Sequence, residues 1–310
     1  MSKFVFIADF FANEIPGGGE LNNDEVCSIL TSFGHEVQKV KCANVTENIL
    51  LQDANYIVAN FVQLSEKNKQ ILQNKKKYII YEHDHKYVKT RNPADYPGYL
   101  APKSEIVNFD FYSNALAVLC QSKFHKNIVE QNLELNNIVS LGGNLWSQES
   151  LDLMRKISQK DKSNKCAIMA SQNWHKNTAD AIRYCQAKNI DFELILQCSY
   201  HDFLNKLGKH SKFIFLPKTP ETLSRIVVEA RMMGLTVIGN QNIGATKEDW
   251  FKYKGEQLIA IMENKRKTIP IGIRKMFLDP PDAVHVSFWS QDSDENDLIK
   301  TLQVLNRDKK

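Results

Sequence analysis

The chain has 310 residues, of which 43% are hydrophobic and 25% are charged, so it is long enough for about two domains with sizeable cores. No apolar run approaches the roughly 18 residues of a membrane-spanning helix, which argues against a transmembrane association. The six cysteines are scattered without CxxC spacing, a pattern that favours reduced thiols in a cytoplasmic protein over disulfides or zinc. The net charge of +4 is compatible with phosphate-bearing ligands or nucleic acid and requires neither.

Short buried runs alternate with helical patterns along the whole chain. The first run, KFVFIADF, is predicted as a strand and not as part of a signal peptide, because Asp9 interrupts it and no small-residue cleavage site follows. Further strands are predicted, in chain order, at HEVQKV, ANYIVAN, KKYIIYE, ALAVLCQ, NIVSLGG, KCAIMAS, FELILQC, KFIFLP and TVIGN. Buried strands separated by helices are typical of parallel sheets that are covered on both faces, so the sequence predicts an α/β fold.

A polar, lysine-rich stretch at 141–165 interrupts this series and predicts a domain boundary near 145–163. We therefore predict two doubly wound, Rossmann-like domains, at 1–150 and 151–285, facing a central cleft. In such folds ligands bind at the carboxyl ends of the strands, where loops and helix N-termini converge.

Three glycines follow the first strand in the segment PGGGE. Glycines before a helix let the backbone approach a phosphate or a sugar, and the helix N-terminus favours an anion. The segment has neither the GK[ST] of a P-loop nor a GxGxxG spacing, so alone it is a weak signal.

The run YIIYEHDHKYVKTRN places His83, Asp84 and His85 directly after a predicted strand. Three interpretations are open. A metal site would need further ligands, and no HExxH or matching carboxylate pair is present. The residues could instead form a structural cluster that fixes the loop. In the third interpretation they form a sugar- or acceptor-binding corner, in which His83 donates to a sugar and Asp84 orients or deprotonates an acceptor hydroxyl.

Glu229 is an acidic residue within the apolar run of SRIVVEARMM, a predicted helix that ends at Gly234. A buried carboxylate without partners would cost several kcal/mol or become protonated. Either it pairs at the edge of the core with Arg225, four residues earlier, while Glu221 lies at the surface. Or Glu221 and Glu229 both reach a pocket above the strand ends, where the hydroxyls of a polyhydroxylated ligand satisfy them.

The Glu-x7-Glu spacing after a strand that ends in proline, followed by EARMMGLTVIGNQNIGATKE, resembles the retaining glycosyltransferases of the GT-B fold, in particular those of family 4. The resemblance implies that Glu221 contacts the donor sugar and that Glu229 binds the ribose hydroxyls of its nucleotide. It also implies that Ile243, Gly244 and Ala245 form a loop near the donor. Thr236 stands where the family usually has proline, and Ala245 replaces the second glycine.

Other segments are similar to the same family. PGGGE and GHEVQKV match its glycine-rich loop and second strand, which implies a donor-binding role for Gly17, Gly18 and Gly19. ASQNWHKNTADAIRYC resembles its phosphate-binding segment, with Lys176 at the usual lysine and no arginine at its usual place. A lone ammonium supplies charge without a bidentate fork, and Arg225 is the candidate substitute. The alternative is that Lys176 is a solvated loop residue.

The HDH run also resembles YQHDH…RRN of the α-glucosyltransferases with which T-even phages modify hydroxymethylcytosine in DNA. The matching residues are Tyr81, His83, Asp84, His85, Arg91 and Asn92. This resemblance implies that His85 and Arg91 bind the acceptor, and that His83 and Asp84 act with Glu221 in catalysis.

Together the resemblances imply a retaining transferase that uses a nucleoside diphosphate sugar, with UDP as the expected nucleotide and no metal or further cofactor. The Asp-x-Asp triplet in QDSDEND (291–297) is interpreted as helix capping, and a final helix at 286–310 is expected to return to the N-terminal domain. The preferred acceptor is double-stranded phage DNA with hydroxymethylated or otherwise modified pyrimidines, in the cytoplasm of a bacterial host. The alternatives are a lipid-linked or surface polysaccharide acceptor, or a catalytically silent nucleotide-sugar-binding protein.

Overall fold

The computed structural model describes residues 2–75 and 77–278 of the chain. These residues divide into two compact units. The first contains the chain up to Leu145 and resumes at Arg266, and the second contains Trp146–Lys265. The predicted final helix at 286–310 and the Asp-x-Asp triplet lie outside the described residues.

The first unit contains a parallel sheet of six strands within the described residues, in the order β2-β1-β3-β4-β5-β6. The strands are β1 Lys3–Ala8, β2 Glu36–Lys41, β3 Asn55–Val58, β4 Tyr78–Tyr81, β5 Val118–Cys120 and β6 Ile138–Ser140. The helices of this part of the chain are α1 Gly18–Ser32, α2 Glu47–Leu50, α3 Glu66–Lys75, α4 Phe109–Ser113 and α5 Lys123–Leu133. The connection after β1 leads to β2 at one edge of the sheet, whereas the connection after β3 leads to β4, towards the opposite edge.

Strand β1 lies inside the sheet, between β2 and β3, and is apolar on both faces, which is why its sequence is a continuous hydrophobic run. Val5 and Ile7 contribute to one buried cluster, whereas Phe4 and Phe6 contribute to another. Successive side chains of a strand point to opposite faces, so the two clusters are the cores on the two sides of one sheet. A sheet covered on both faces is the doubly wound arrangement that the sequence predicts.

The second unit contains a parallel sheet of four strands within the described residues, in the order β10-β9-β7-β8. The strands are β7 Ser163–Met169, β8 Phe192–Ile195, β9 His210–Phe215 and β10 Thr236–Gly239. The helices are α6 Gln148–Ser158, α7 Thr178–Ala187, α8 Tyr200–Leu207, α9 Arg225–Met232 and α10 Glu256–Met276. Helix α10 begins in this unit, and its residues from Arg266 onward belong to the first unit.

The end of α9 shows how a short sequence signal fixes local structure. Gly234 has a φ of +89°, and its N–H donates to the Arg231 carbonyl at 2.9 Å. The next residue, Leu235, donates to the Ala230 carbonyl at 2.9 Å. These two bonds form a Schellman motif, which satisfies the last carbonyls of the helix and requires a residue tolerant of positive φ. The helix therefore ends at the predicted glycine.

Each sheet has one place where the strand order reverses. It lies between β1 and β3 in the first unit and between β7 and β9 in the second. In doubly wound sheets, ligands bind beside the carboxyl ends of the strands at this switch point. The segments that follow these four strands are therefore the positions from which the candidate site is built.

Candidate functional site

Lys176 and Glu221 meet at the switch point of the second sheet. Lys176 ends the short 3₁₀ turn Trp174–Lys176 that follows β7, and Glu221 lies in the loop after β9. The Lys176 Nζ donates to Glu221 Oε1 at 2.7 Å. The lysine side chain is 32% exposed and the glutamate side chain 15%, so the pair borders solvent. The structure thus brings together two residues for which the sequence predicts donor contacts.

The loop that carries Gly244 and Ala245 lies beside Glu221. The Gly244 N–H donates to the Glu221 carbonyl at 2.9 Å, and the Ala245 N–H donates to the Leu223 carbonyl at 2.9 Å. In return the Glu221 N–H donates to the Asn242 carbonyl at 2.7 Å. Because the amide groups of Gly244 and Ala245 are bonded to protein carbonyls, the loop fixes the position of Glu221 and does not present these amides to a ligand.

Glu229 is buried, with 3% of its surface exposed, and its carboxylate has three protein partners. The Oε1 atom accepts hydrogen bonds from Trp146 Nε1 at 2.9 Å and from the Tyr200 hydroxyl at 2.8 Å. Arg225 Nε lies 3.8 Å from the same oxygen, and the Arg225 guanidinium lies 4.4 Å from the centre of the Trp146 ring. A buried carboxylate with two donors and a guanidinium is compensated, so Glu229 is stable there without a ligand.

The surroundings of Glu229 match the interpretation in which it pairs with Arg225, and its ribose-binding role stays a prediction. Burial, together with the neighbouring Glu229 carboxylate, raises the pKa of Tyr200, which keeps the phenol protonated as a donor. Sequence reasoning missed Trp146 and Tyr200, since neither stands at a helical spacing from Glu229.

The predicted glycine-rich loop of the first unit is partly helical. Gly17 is the N-cap residue of α1, so Gly18 and Gly19 form the first turn of the helix and do not lie in a loop ahead of it. A Cβ atom on Gly19 would lie 3.4 Å from the imidazole ring of His83. The structure therefore places Gly19 next to another predicted site residue, at a distance where even a Cβ atom would make ordinary van der Waals contact.

His83 follows β4 and is held by a chain of buried amides. Gln121 Nε2 donates to His83 Nδ1 at 2.7 Å, and His83 Nε2 lies 2.8 Å from Asn23 Oδ1. Asn144 Nδ2 donates to Gln121 Oε1 at 2.9 Å and so fixes the orientation of that amide. This arrangement requires the neutral tautomer of His83 with its proton on Nε2. Both ring nitrogens bond to protein groups, so a sugar would reach His83 by displacing Asn23.

Glu82 organises the loop after β4, although sequence reasoning treated it only as the end of a strand. It is fully buried and accepts hydrogen bonds from the backbone N–H groups of His83 at 3.0 Å and Asp84 at 2.9 Å. The Tyr112 hydroxyl and the Lys86 ammonium also donate to it. Burial alone would raise the pKa of Glu82, but the Lys86 charge and the hydrogen bonds more than reverse this and hold the pKa below its usual range.

Asp84 lies between two cations at the edge of the same loop. The buried Lys86 ammonium donates to its Oδ1 atom, and Arg91 Nη1 lies 3.5 Å from its Oδ2 atom. Burial would lower the pKa of Lys86, but Asp84 and Glu82 together raise it, so the lysine remains charged. The side chains of Asp84 and Arg91 are about half exposed, and their predicted catalytic and acceptor-binding roles stay predictions.

His85 is enclosed by the first unit. Its Nδ1 atom lies 3.0 Å from the Tyr87 hydroxyl, and its ring packs edge-on against His125 with 4.9 Å between the ring centres. Burial lowers the pKa of His85 to about 4, so the ring is neutral at physiological pH. These contacts match the interpretation in which the HDH run fixes the loop. Acceptor binding by His85 stays a prediction, and in this conformation the side chain is not exposed to an acceptor.

Glu20 is a further acidic residue at the carboxyl edge of the first sheet. It lies in the first turn of α1, and its Oε1 atom accepts a hydrogen bond from Asn60 Nδ2 at 3.0 Å. Burial raises the pKa of Glu20, and the nearby charge of Asp84 acts in the same direction. Sequence reasoning did not predict Glu20 as a site residue, although it directly follows the three glycines. A half-buried carboxyl with a raised pKa is suited to proton transfer.

Neither a metal-binding cluster nor a membrane-spanning helix occurs among the described residues. Between residues 2 and 278, apart from Lys76, no group of three or more histidine, cysteine, aspartate or glutamate side chains could hold a metal ion. Within the same part of the chain, none of the helices combines the length and apolar character that crossing a membrane requires.

No protein-family model and no curated protein matches the sequence. Solved structures do resemble the chain. Anabaena Alr3699/HepE in complex with UDP and glucose is 10% identical, with a TM-score of 0.50 over 98% of this chain and 100% of that chain. An alpha-glucosyltransferase in complex with UDP and a 13-mer DNA containing an HMU base is 13% identical, with a TM-score of 0.47 over 97% and 100%. The resemblance to HepE concerns the fold: this chain has the GT-B type of α/β architecture, with two parallel-sheet units.

Proposed function

We propose that the protein is a retaining glycosyltransferase that moves a sugar from a nucleoside diphosphate sugar, with UDP as the nucleotide, to an acceptor hydroxyl. The observation that carries this proposal is the Lys176–Glu221 pair, beside the loop of Gly244, at the switch point of the second sheet. Such positions bind phosphorylated ligands in doubly wound folds. The sequence resemblance to retaining GT-B enzymes supports the same conclusion, and HepE, which shares the fold, has been solved with UDP-glucose.

In this proposal the domain at 151–285 binds the donor. Lys176 exchanges its bond to Glu221 for the diphosphate, and Glu221 then accepts hydrogen bonds from sugar hydroxyls. Glu229 contacts the ribose. A carboxylate offers about four acceptor positions, so the two donors already on Oε1 leave capacity for a hydroxyl group. Arg225 supplements the charge of Lys176 in place of the missing arginine.

The domain at 1–150 binds the acceptor. In the transfer step, the bond between the anomeric carbon and the leaving phosphate oxygen breaks, and the acceptor oxygen bonds to the same carbon on the same face. The acceptor proton passes to a phosphate oxygen of the departing diphosphate, and Asp84 or Glu20 orients the acceptor hydroxyl by accepting a hydrogen bond from it before the transfer. Positive groups such as Lys176 stabilise the negative charge that develops on the leaving diphosphate.

The acceptor we favour is a hydroxymethylated or otherwise modified pyrimidine in DNA. The support is the HDH run with Arg91 after it and the net charge of +4. If DNA is the acceptor, its binding weakens steeply as the salt concentration rises, because phosphate contacts release counterions. A lipid-linked or surface polysaccharide is the alternative acceptor.

A second function is favoured by one specific observation. The ammonium of Lys176 is already neutralised by Glu221 at 2.7 Å, and the family's arginine is absent from this segment. Weak stabilisation of a leaving diphosphate is what a nucleotide-sugar-binding protein without catalytic activity would show.

One assay separates these alternatives. The protein is incubated with UDP-glucose and other nucleotide sugars, alone and with hydroxymethylated DNA, unmodified DNA or a polysaccharide, and release of the nucleoside diphosphate is measured. We expect release that requires one acceptor, a mass increase of one sugar on that acceptor, and loss of release in Glu221→Gln. Saturable donor binding without release on any acceptor would contradict the enzyme and support the silent binding protein.

A further inference from the structure

Trp174 is a large aromatic side chain that the fold leaves at the surface. It is 58% exposed, whereas Trp146 and Trp250 are almost completely buried. An exposed tryptophan forgoes the burial that normally stabilises so large a ring, and its indole is available to a ligand. It stands in the turn that follows β7, at the switch point of the second sheet.

The ring of Trp174 is held in place by its neighbours. The His175 ring lies against the indole, with 3.9 Å between ring centres and 30° between ring planes. His175 is in turn tied to the loop after β9, because its Nδ1 atom lies 3.2 Å from Thr219 Oγ1 and its carbonyl accepts from the Lys218 N–H at 2.9 Å. Asn173 Oδ1 accepts from the His175 N–H at 3.0 Å. An aromatic ring fixed in advance loses little conformational entropy on binding.

Two lysines stand in the turn and the loop that hold the exposed indole. Lys176 follows two residues later and borders solvent, and Lys218 is exposed on the loop that is bonded to His175. An aromatic face beside ammonium groups is the arrangement that binds nucleotides, since the base stacks on the ring while its phosphates meet the cations. A carbohydrate can also stack on tryptophan, but its neutral hydroxyls gain less from two ammonium groups than the charged phosphates of a nucleotide do. The combination therefore favours a nucleobase.

We propose that Trp174 binds a nucleobase by stacking, with the phosphates of the same nucleotide directed towards Lys176 and Lys218. The base comes either from the donor nucleotide, an assignment that rests on the proposed function, or from a nucleic-acid acceptor. The chemistry is the same for both sources, and binding measurements distinguish them.

The test is calorimetric titration of the full chain with UDP, with pyrophosphate and with a short oligothymidylate. Trp174→Ala is compared with Trp174→Phe, which keeps an aromatic face, and with Phe33→Ala, which removes an exposed ring from the first unit. We expect Trp174→Ala to weaken binding of the base-containing ligand roughly tenfold or more and to leave pyrophosphate binding unchanged. Trp174→Phe should recover most of the affinity, and Phe33→Ala should match the wild type.

The three ligands separate this inference from the proposed function. If Trp174→Ala loses affinity only for UDP, Trp174 stacks on the base of the donor. If it loses affinity only for the oligothymidylate, Trp174 stacks on a base of the acceptor. If the wild type binds the oligothymidylate through Trp174 but does not bind UDP, the stacking site stands and the proposed donor is wrong. If the wild type binds UDP and Trp174→Ala binds both base-containing ligands as tightly, the stacking inference is overturned while the proposed function stands. Absence of binding to either base-containing ligand would overturn both.

Discussion

The candidate residues of the two units lie in different surroundings. In the first unit, Glu82, His83 and His85 are buried, and each is bonded to groups of the same unit. In the second unit, Lys176 and Glu221 border solvent and bond to each other. In sequence the two sets look alike, because both are polar residues that follow buried strands.

This difference separates groups that hold a loop from groups that can exchange partners. A buried carboxylate or imidazole with protein partners is costly to move, since moving it leaves other buried groups unsatisfied. A partly exposed ion pair contributes little to stability, so either member can turn to a ligand at small cost. We therefore expect substitutions in the first unit to change mainly stability, and substitutions at Lys176 and Glu221 to change mainly ligand affinity.

The largest expected effect is that of Glu82→Ala. The substitution leaves two backbone N–H groups and the Tyr112 hydroxyl without their acceptor, and it removes one of the two carboxylates that pair with buried Lys86. We expect the first unit to lose about 3–5 kcal/mol of unfolding free energy. Urea denaturation measures this loss of unfolding free energy. Hydrogen exchange at the backbone amides of residues 83–86 shows whether the loss is located in the loop.

Two variants control this measurement. Glu82→Gln keeps an acceptor for the backbone amides and should lose less than Glu82→Ala. Glu47→Ala removes a half-exposed carboxylate that pairs with Lys67, and it should change the unfolding free energy by less than about 1 kcal/mol. Equal losses in Glu82→Ala and Glu47→Ala would show that the loop does not depend on the buried carboxylate.

The second effect is a pH dependence caused by His85. Burial lowers the pKa of His85 to about 4, against roughly 6.5 in an unfolded chain. Between these values the unfolded state binds more protons, so the free energy of unfolding falls as the pH is lowered from 6.5 to 4. The contribution amounts to about 3 kcal/mol and is absent below both pKa values. The groups that act on His85 are Glu82, Asp84, Lys86 and the adjacent His125.

Denaturation curves between pH 7 and pH 4 measure this contribution. His85→Asn is the informative variant, because the residue has a φ of 55° and asparagine tolerates that conformation. This variant should reduce the dependence of the unfolding free energy on pH between pH 6.5 and 4. The dependence that remains is the contribution of His125, because burial lowers the pKa of His125 as well. An unchanged slope in His85→Asn would assign the acid sensitivity to other groups.

The third effect concerns affinity. Lys176→Met removes the ammonium at the switch point of the second sheet, and we expect the affinity for UDP to fall about 10- to 100-fold because a charged hydrogen bond is lost. The unfolding free energy should change by less than about 1 kcal/mol, since the pair is partly exposed. The matched control is Arg183→Met, which removes an exposed cation paired with Asp180 on α7. If both variants bind UDP as tightly as the wild type does, Lys176 does not contribute to donor binding.

The sequence predicted the fold better than the site, for physical reasons. Most strands of the first sheet are continuous apolar runs, and the sequence predicts a strand at each of the ten that the described residues contain. The pairing of Glu229 with Arg225 is local, at four residues along a helix, and was foreseen as an alternative. Trp146 lies 83 residues away in the chain and Tyr200 lies 29 away, so their hydrogen bonds to Glu229 arise only from tertiary packing.

Glu82 shows a signal that was present in the sequence. It ends the apolar run YIIYE, and Lys86 follows four residues later, yet neither was interpreted as part of a buried pair. The start of α1 shows the opposite case. Glycine has a low helix propensity, which favours a loop at Gly18 and Gly19, yet both lie in the first turn of the helix.

The smallest expected effect tests whether the space beside His83 serves a ligand. Gly19→Ala improves helix propensity by about 1 kcal/mol. The new Cβ atom would lie 3.4 Å from the His83 ring, at the edge of ordinary contact distance, so the unfolding free energy should stay within about 1 kcal/mol of the wild type. Turnover and donor affinity are measured alongside. A loss of either with unchanged stability would show that the space above His83 is occupied by substrate, so the first unit would bind a ligand as well as hold its loop. Unchanged turnover and donor affinity would assign the corner formed by Gly19 and His83 to structure alone, because the added methyl group would crowd a sugar bound against that side of the ring.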